Sequence, residues 1–163
     1  MNAYPVIAAV NSRLHADVTI IRLRRIGIDP RKISAVFRQR LMPNSVACWL
    51  KFWRLPANLS GRKLILAAGP WCAELEPKAD ETAVADLLTS LGFHQRDVAA
   101  AAERVAEGGI LLCVHAENAV EISLAWHIFR HSGATAIALS RQGVEVETEP
   151  AADPVAAWSP TAA

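Results

Sequence analysis

Long apolar runs are missing from this chain of 163 residues. A transmembrane helix needs roughly 20 consecutive apolar residues, and the most apolar region, residues 45–75, is interrupted by Lys51, Arg54, Arg62 and Lys63. The start of the chain also lacks a basic segment followed by a long apolar one, which is the pattern of a secretory signal. We therefore expect no transmembrane segment and a cytoplasmic location.

Cysteine is scarce, and common catalytic motifs are missing. The three cysteines are Cys48, Cys72 and Cys113, and no two of them form a Cys-x-x-Cys motif. We therefore expect reduced thiols in a reducing compartment. The chain has no G-x-x-x-x-G-K-[ST], no G-x-G-x-x-G and no G-x-S-x-G motif. These absences favour a protein that is not an enzyme and that binds no cofactor.

Charge is divided unevenly along the chain, although the net charge is only +1. Residues 1–63 contain twelve Lys or Arg and two acidic residues, whereas residues 64–163 contain five basic and fourteen acidic residues. Such a split indicates either an anionic partner for the first part or attraction between the halves of the fold or between subunits.

A strand–helix–strand pattern occupies the N-terminal part. Residues 4–10 and 33–38 are apolar runs typical of buried strands. The helix between them is predicted to begin after Asn11 or Ser12 as N-cap and to end at Gly27. Its apolar stripe at helical spacing is Leu14, Val18 and Ile21.

The same pattern recurs near the C-terminus. Residues 109–115 and 135–140 are the predicted strands, and Gly133 ends the helix between them. The predicted core stripe of this helix is Ile122, Ala125, Trp126 and Phe129. Two such units predict an α+β fold, specifically a ferredoxin-like βαβ repeat that forms a two-layer sandwich.

The predicted domain organisation is one α+β domain over residues 1–141 and a flexible tail over residues 142–163, which is acidic and contains proline. An insertion at about residues 41–108 separates the two strand–helix–strand units. It contains two predicted helices, whose apolar stripes are Val84, Leu87, Leu88 and Leu91 in the first and Val98, Ala102 and Val105 in the second.

Several motifs resemble a known family. The stretches "VIAAVNSRLHADVTIIRLRRIGIDPRKISAV", "ILAAGPWCAEL" and "LGFHQRDVAAAAERVAEGGILLCVHAENAVEISLAWHIFRHSGA" resemble the general stress protein family with the YflT-type heat-induced domain, over about residues 5–140. The resemblance implies a bacterial protein linked to stress responses, without defined catalytic residues. Many members have an apolar hairpin rich in Gly and Ala in the middle, where this chain is aromatic and basic.

Two pairs of side chains are candidate metal ligands. Cys113 and His115 share one face of a predicted strand, and His127 and His131 share one face of a predicted helix. A closed zinc site needs about four ligands, or three and a water. We therefore favour packing for Cys113 and His115, and a solvated or helix-capping role for the other pair, over metal binding.

A basic and aromatic segment, residues 38–54, is the candidate partner-binding site. Its candidate residues are Arg38, Arg40, Trp49, Lys51, Trp53 and Arg54. Basic side chains with aromatic rings between them bind single-stranded nucleic acid by charge and stacking, and they also suit an anionic membrane surface. The alternative is that the rings fill a gap inside the fold or between subunits.

A second apolar surface on the C-terminal helix is the candidate interface. Val120, Leu124 and Ile128 lie off the predicted core stripe and need a cover, either from the insertion or from a second subunit. The sequence therefore predicts a non-enzymatic, stress-associated cytosolic protein that acts through self-association and partner binding. The alternatives are a module that senses a small ligand or metal, and binding of nucleic acid or an anionic surface through residues 38–54.

Overall fold

One antiparallel sheet organises the protein, and the α+β class is confirmed. The computed structural model describes residues 3–38, 65–75 and 81–142. The strands in these ranges are β1 (Tyr4–Val10), β2 (Ile33–Arg38), β3 (Ile65–Ala68), β4 (Ile110–Ala116) and β5 (Thr135–Leu139). The helices are α1 (Arg13–Arg25), α2 (Cys72–Leu75), α3 (Glu81–Ser90), α4 (Gln95–Ala106) and α5 (Ala119–His131), with a short 3-10 helix at Pro30–Lys32.

The strand order is β3-β2-β4-β1-β5, and each neighbouring pair is antiparallel. β1 and β2 are therefore parallel with β4 between them, and β4 and β5 are parallel with β1 between them. The prediction that the two strand–helix–strand units share one sheet is confirmed. β3 joins β2 at the edge, so the insertion contributes a strand as well as helices.

Local signals set the ends of the helices. Ser12 and Asn118 are the N-caps of α1 and α5, and each side chain accepts a hydrogen bond from the backbone N–H three residues later, at 3.2 and 2.9 Å. Gly27 and Gly133, just beyond the C-terminal ends, have φ values of 98° and 71°. Glycine adopts this left-handed conformation without the steric cost of a Cβ atom, and both predicted helix ends are confirmed.

Helices cover both faces of the sheet. On one face, α1 and α5 bury Ile20, Leu23, Ala125 and Phe129 against apolar residues of β1, β2 and β4. On the other face, α2, α3 and α4 enclose a second core that includes the fully buried ring of Trp71. The inserted helices thus add a third layer to the predicted sandwich, because both faces of the central strand β4 are apolar and both need a cover.

The predicted core stripe of α1 is wrong. The helix buries Ala16, Thr19, Ile20 and Leu23, whereas Leu14 is 73% exposed and Val18 is 36% exposed. α1 carries two apolar stripes at the same helical spacing, so periodicity alone does not select between them. The hydroxyl of Thr19 donates to the carbonyl of His15 at 2.8 Å, which allows this polar residue to be buried with a hydrogen-bond partner.

The predicted stripe of α5 is partly wrong. Ala125 and Phe129 are buried, and Ile122 packs against the same core at half burial. Trp126, however, is 37% exposed. Of the candidate interface residues, Val120 is 67% exposed, Leu124 is half-buried, and Ile128 is half-buried and packs against the core on this face of the sheet.

The inserted helices do not cover α5, because they pack on the opposite face of the sheet. In α3, Val84 and Leu88 are buried, while Leu87 and Leu91 pack at the margin of that core. In α4 the buried alanine is Ala101 and not the predicted Ala102. Among the helices in the described ranges, none combines the length and the apolar character that are needed to cross a membrane.

Candidate functional site

The strand pair β2–β4 brings together three polar groups that lie far apart in the sequence. The Oγ atom of Ser34 lies 2.8 Å from Nε2 of His115, and it accepts a hydrogen bond from the backbone N–H of Trp71 at 3.2 Å. The Trp71 ring meets the His115 ring edge to face, with 5.6 Å between centroids. Ser34 and Trp71 are fully buried, and His115 is partly exposed.

These contacts define the tautomer of His115. A buried hydroxyl needs an acceptor for its proton, and among the described residues Nε2 of His115 is the side-chain acceptor within reach of Ser34 Oγ. The Ser34 hydroxyl therefore donates to Nε2, and the ring proton of the neutral imidazole is on Nδ1. Burial lowers the pKa of His115 from 6.5 to about 4, so the ring is neutral at pH 7.

Cys113 and His115 share one face of β4, as predicted, but they do not form a metal or redox centre with other described residues. The Cys113 side chain is fully buried. Burial, followed by the nearby charge of Glu74, raises the pKa of its thiol well above the usual value, so the reactive thiolate is disfavoured. Within the described ranges no group of three or more His, Cys, Asp or Glu side chains is arranged to hold a metal ion.

Ser34 and Trp71 are absent from the sequence-based candidates. Ser34 is the single polar residue in the apolar strand "ISAVF", which was a usable signal for a buried hydrogen-bonding role. Trp71 follows the turn at Gly69, where the chain passes very close to the backbone of Ile33 and Ser34. The sequence contains no sign of that long-range contact.

His127 and His131 do come together on the surface of α5. Their rings are 3.9 Å apart between centroids, with an interplanar angle of 32°. Nδ1 of His131 donates to the carbonyl of His127 at 2.9 Å, so this nitrogen is not free to bind a metal. The pair provides at most two ligands in the part of the chain that the structure describes.

Of the basic and aromatic segment, only Arg38 belongs to the described residues. It is the last residue of β2 and is half-buried. The other candidates of that segment, namely Arg40, Trp49, Lys51, Trp53 and Arg54, lie outside the described ranges.

The exposed side chains of α1 and α5, here called the α1/α5 surface, are unusually apolar. Across the described residues, the large hydrophobic side chains that are exposed are Leu14, Val18, Val120 and Trp126. All four belong to these two helices. Single exposed apolar residues are common on protein surfaces, but their concentration on one layer marks a candidate contact surface.

The α1/α5 surface is also basic. The exposed Lys, Arg, Asp and Glu side chains of the two helices are all arginines: Arg13, Arg22, Arg24, Arg25 and Arg130. The acidic residues of these helices, Asp17 and Glu121, are only half-exposed. The layer formed by α2, α3 and α4 has a mixed surface with exposed Asp, Glu and Arg residues.

Polar contacts join α1 to the C-terminal end of α5. The guanidinium of Arg22 donates from Nη1 to the carbonyl of His131 at 3.5 Å and to Oγ of Ser132 at 3.4 Å. Nε2 of His15 also contacts the carbonyl of Ser132. The last carbonyls of a helix lack partners within the helix, so these contacts both satisfy them and fix α5 against α1.

A second set of contacts fixes the other end of α5. Nζ of Lys32 lies 2.8 Å from Glu117 and 2.7 Å from Glu121. Hydrogen bonds to these two carboxylates raise the pKa of Lys32, and the bond from Lys32 lowers the pKa of Glu121. Both ends of α5 are thus anchored, and the α1/α5 surface is a preformed one.

Comparison with protein families, with curated proteins and with solved structures finds no match to this chain.

Proposed function

We propose that this chain is a non-enzymatic, stress-associated cytosolic protein that acts through self-association and partner binding, and that the α1/α5 surface makes the contact. The observation that carries the proposal is the placement of Leu14, Val18, Val120 and Trp126, the exposed large apolar side chains of the described residues, on these two helices. The resemblance to the general stress protein family supports the link to stress.

The energetic argument rests on exposed apolar area. Removing one Val or Leu side chain from water stabilises a complex by about 1.5 to 3 kcal/mol when burial is complete. Leu14 and Val120 are about two-thirds exposed or more, so each has most of this free energy still to contribute. Because contacts anchor both ends of α5, little of the gain is lost to ordering the surface.

The buried cluster on β2 and β4 supports a role without catalysis. Ser34 and His115 have the spacing of a base-activated hydroxyl, but Ser34 is fully buried and its Oγ already accepts from the Trp71 N–H. A substrate could not approach that oxygen without displacing the turn at Gly69. We assign the cluster to holding that turn against the sheet.

We also propose the ferredoxin-like fold for this domain. The order β2-β4-β1-β5, with α1 and α5 as the crossovers on one face, supports the assignment. In this proposal β3 and the inserted helices are additions to that core. An experimental structure in which these four strands had a different order would contradict the ferredoxin-like assignment.

The double variant Leu14→Glu, Val120→Glu tests the proposed contact. Both side chains are well exposed, so the variant should remain folded, while two charges in an apolar interface strongly disfavour association. We expect the mass in solution, measured by sedimentation equilibrium, to fall to that of the monomer, with an unchanged circular dichroism spectrum.

Ala99→Glu is the matched control, because Ala99 is exposed on α4 in the opposite layer. It should keep the mass of the unaltered protein. A monomeric unaltered protein, or a double variant that still associates, would contradict the proposed self-association.

A further inference from the structure

We propose that His127 and His131 form one half of a binding site for a divalent transition metal such as Zn²⁺, and that the same pair on a second copy of the chain completes it. This inference rests on the proposed self-association through the α1/α5 surface and names what strengthens it. The pair lies at the C-terminal end of α5, and both side chains are exposed. Two imidazoles are too few for a closed zinc site, but two such pairs supply the four ligands that it needs.

A hydrogen bond fixes the tautomer of His131. Its Nδ1 donates to the carbonyl of His127 at 2.9 Å, so in the neutral ring the proton is on Nδ1 and Nε2 keeps its lone pair. Histidines that bind metals commonly donate their other ring N–H to a backbone carbonyl, because this bond orients the ring and makes the ligand nitrogen more basic. The Nε2 atom of His131 is therefore prepared to bind a metal.

The two rings are close enough to hold one ion. His127 lies one turn before His131 on the same side of the helix, and the ring centroids are 3.9 Å apart. Two nitrogens that each bind a zinc ion at about 2.1 Å are roughly 3.4 Å apart in a tetrahedral site. Because an exposed side chain changes rotamer within nanoseconds, a small rotation of the His127 ring brings one of its nitrogens to that separation from Nε2 of His131.

The histidine pair lies between the two apolar side chains that the proposed contact depends on, Leu14 and Val120. His127 is two turns beyond Val120 along α5, a rise of about 10 Å, and it is about 8 Å before Ser132. Leu14 belongs to the other end of this path, because the next residue, His15, contacts the carbonyl of Ser132 through Nε2. A contact that buries both Leu14 and Val120 therefore also covers the histidines.

Two-fold symmetry brings two histidine pairs together. Copies of one chain associate most often about a two-fold axis, so that when one residue meets a second, the second meets the first across the same interface. If Leu14 of each copy meets Val120 of the other, the axis passes midway between these residues, where the histidines lie. Four neutral imidazoles then surround one point, and neutral imidazole is a ligand that suits zinc, copper and nickel.

The charge of the α1/α5 surface gives the metal its importance. The exposed charged side chains of α1 and α5 are arginines, and like charges across an interface oppose association. Burial of the apolar side chains alone therefore gives a weak contact. Coordination bonds act at short range, whereas repulsion between exposed charges is screened by salt over about 10 Å. The C-terminal end of a helix also favours positive charge, which suits a cation held at the end of α5.

Sedimentation equilibrium of the full chain, with zinc chloride and with EDTA, tests the inference. The dissociation constant for self-association should be at least about tenfold lower in zinc than in EDTA, and equilibrium dialysis should give one bound zinc ion for two chains. His127→Ala and His131→Ala should each lose this difference between zinc and EDTA, because either substitution removes two of the four ligands from the assembled site.

His94→Asn is the matched control. His94 is exposed in the opposite layer, where its Nδ1 accepts from the backbone N–H of Arg96 as the N-cap of α4. Asparagine keeps a side-chain acceptor for that N–H and removes the imidazole. This variant should keep the full tightening by zinc and the ratio of one zinc ion to two chains.

The outcomes separate this inference from the proposed function. If Leu14→Glu, Val120→Glu abolishes association while zinc leaves the dissociation constant of the unaltered protein unchanged, self-association stands and the metal site does not. If zinc tightens association equally in His127→Ala and His131→Ala, other side chains bind the metal and the inference fails. One zinc ion per chain without a change in mass overturns the contribution of a second copy. If the unaltered protein is monomeric in both zinc and EDTA, the proposed function and this inference both fail.

Discussion

Acid should destabilise this protein through His115. Burial holds the pKa of its imidazole at about 4 in the folded state, against an ordinary value of 6.5. Between these values the unfolded chain binds more protons than the folded protein, so the free energy of unfolding decreases as the pH falls. The difference of 2.5 pKa units corresponds to a loss of roughly 3 kcal/mol by pH 4.

The cause is burial, which keeps water from the charged imidazolium, and protonation also removes a hydrogen-bond acceptor. Protonation places hydrogen on Nε2 of His115, which faces the Ser34 hydroxyl at 2.8 Å. Ser34 is fully buried, so its hydroxyl loses the acceptor on that side. The carboxylates act in a different pH window: the pKa of Asp29 is about 2 and that of Glu121 is lowered. The stabilisation from these two carboxylates is present above their ordinary pKa values of 3.8 and 4.5 and is lost as the pH falls below them.

Urea unfolding at a series of pH values from 7 to 4.5 measures the effect. The unaltered protein should lose stability steadily below about pH 6.5, whereas His115→Gln should lose much less, since its side-chain carbonyl accepts from Ser34 and does not titrate. His127→Gln is the control on the surface of α5 and should retain the slope. An equal slope in His115→Gln and the unaltered protein would refute the assignment of this acid sensitivity to His115.

Four further substitutions test the turns, the N-cap of α5 and the packing of the core. Gly69→Ala places a Cβ atom 2.1 Å from the carbonyl oxygen of Ile33 at φ 82°, and it should lower the free energy of unfolding by more than about 2 kcal/mol. Gly133 has a similar φ, but a Cβ atom there would meet no other atom within 4 Å. Gly133→Ala should therefore lower the free energy of unfolding by about 1 kcal/mol. Asn118→Ala removes the N-cap of α5 and should cost about 1 kcal/mol. Cys113→Ala should cost about 1 kcal/mol by thermal unfolding; a loss of bound metal instead would make the thiol a ligand.

The sequence alone was sufficient for most of the regular structure. The bounds of β1 and β2 agree with the predicted runs 4–10 and 33–38, because continuous apolar residues with turn residues on both sides leave few other assignments. Gly27 and Gly133 mark helix ends for a local reason, their positive φ. Features that depend on residues close in sequence were therefore predictable.

Features that depend on contacts between residues far apart in the sequence were not predictable. α1 has two apolar stripes. The stripe that fits the sheet and α5 better is the one that is buried. Ser34, Trp71 and His115 meet only because β2 pairs with β4 and the turn after β3 passes over them. Cys113 and His115 were correctly expected to share a face, but periodicity contains no information about which third group that face would meet.

The exposure of Leu14 and Val18 on α1 and the position of the inserted helices have one common cause. The described residues form two further apolar surfaces, namely the second face of the sheet and the outside of the α1 and α5 layer. The inserted helices lie on the first, where they bury Trp71, Leu88 and Val98 with the central strands. They are consequently not available for Leu14 and Val120. Leu14 and Val120 therefore stay exposed among the described residues, on helices whose exposed charged side chains are arginines.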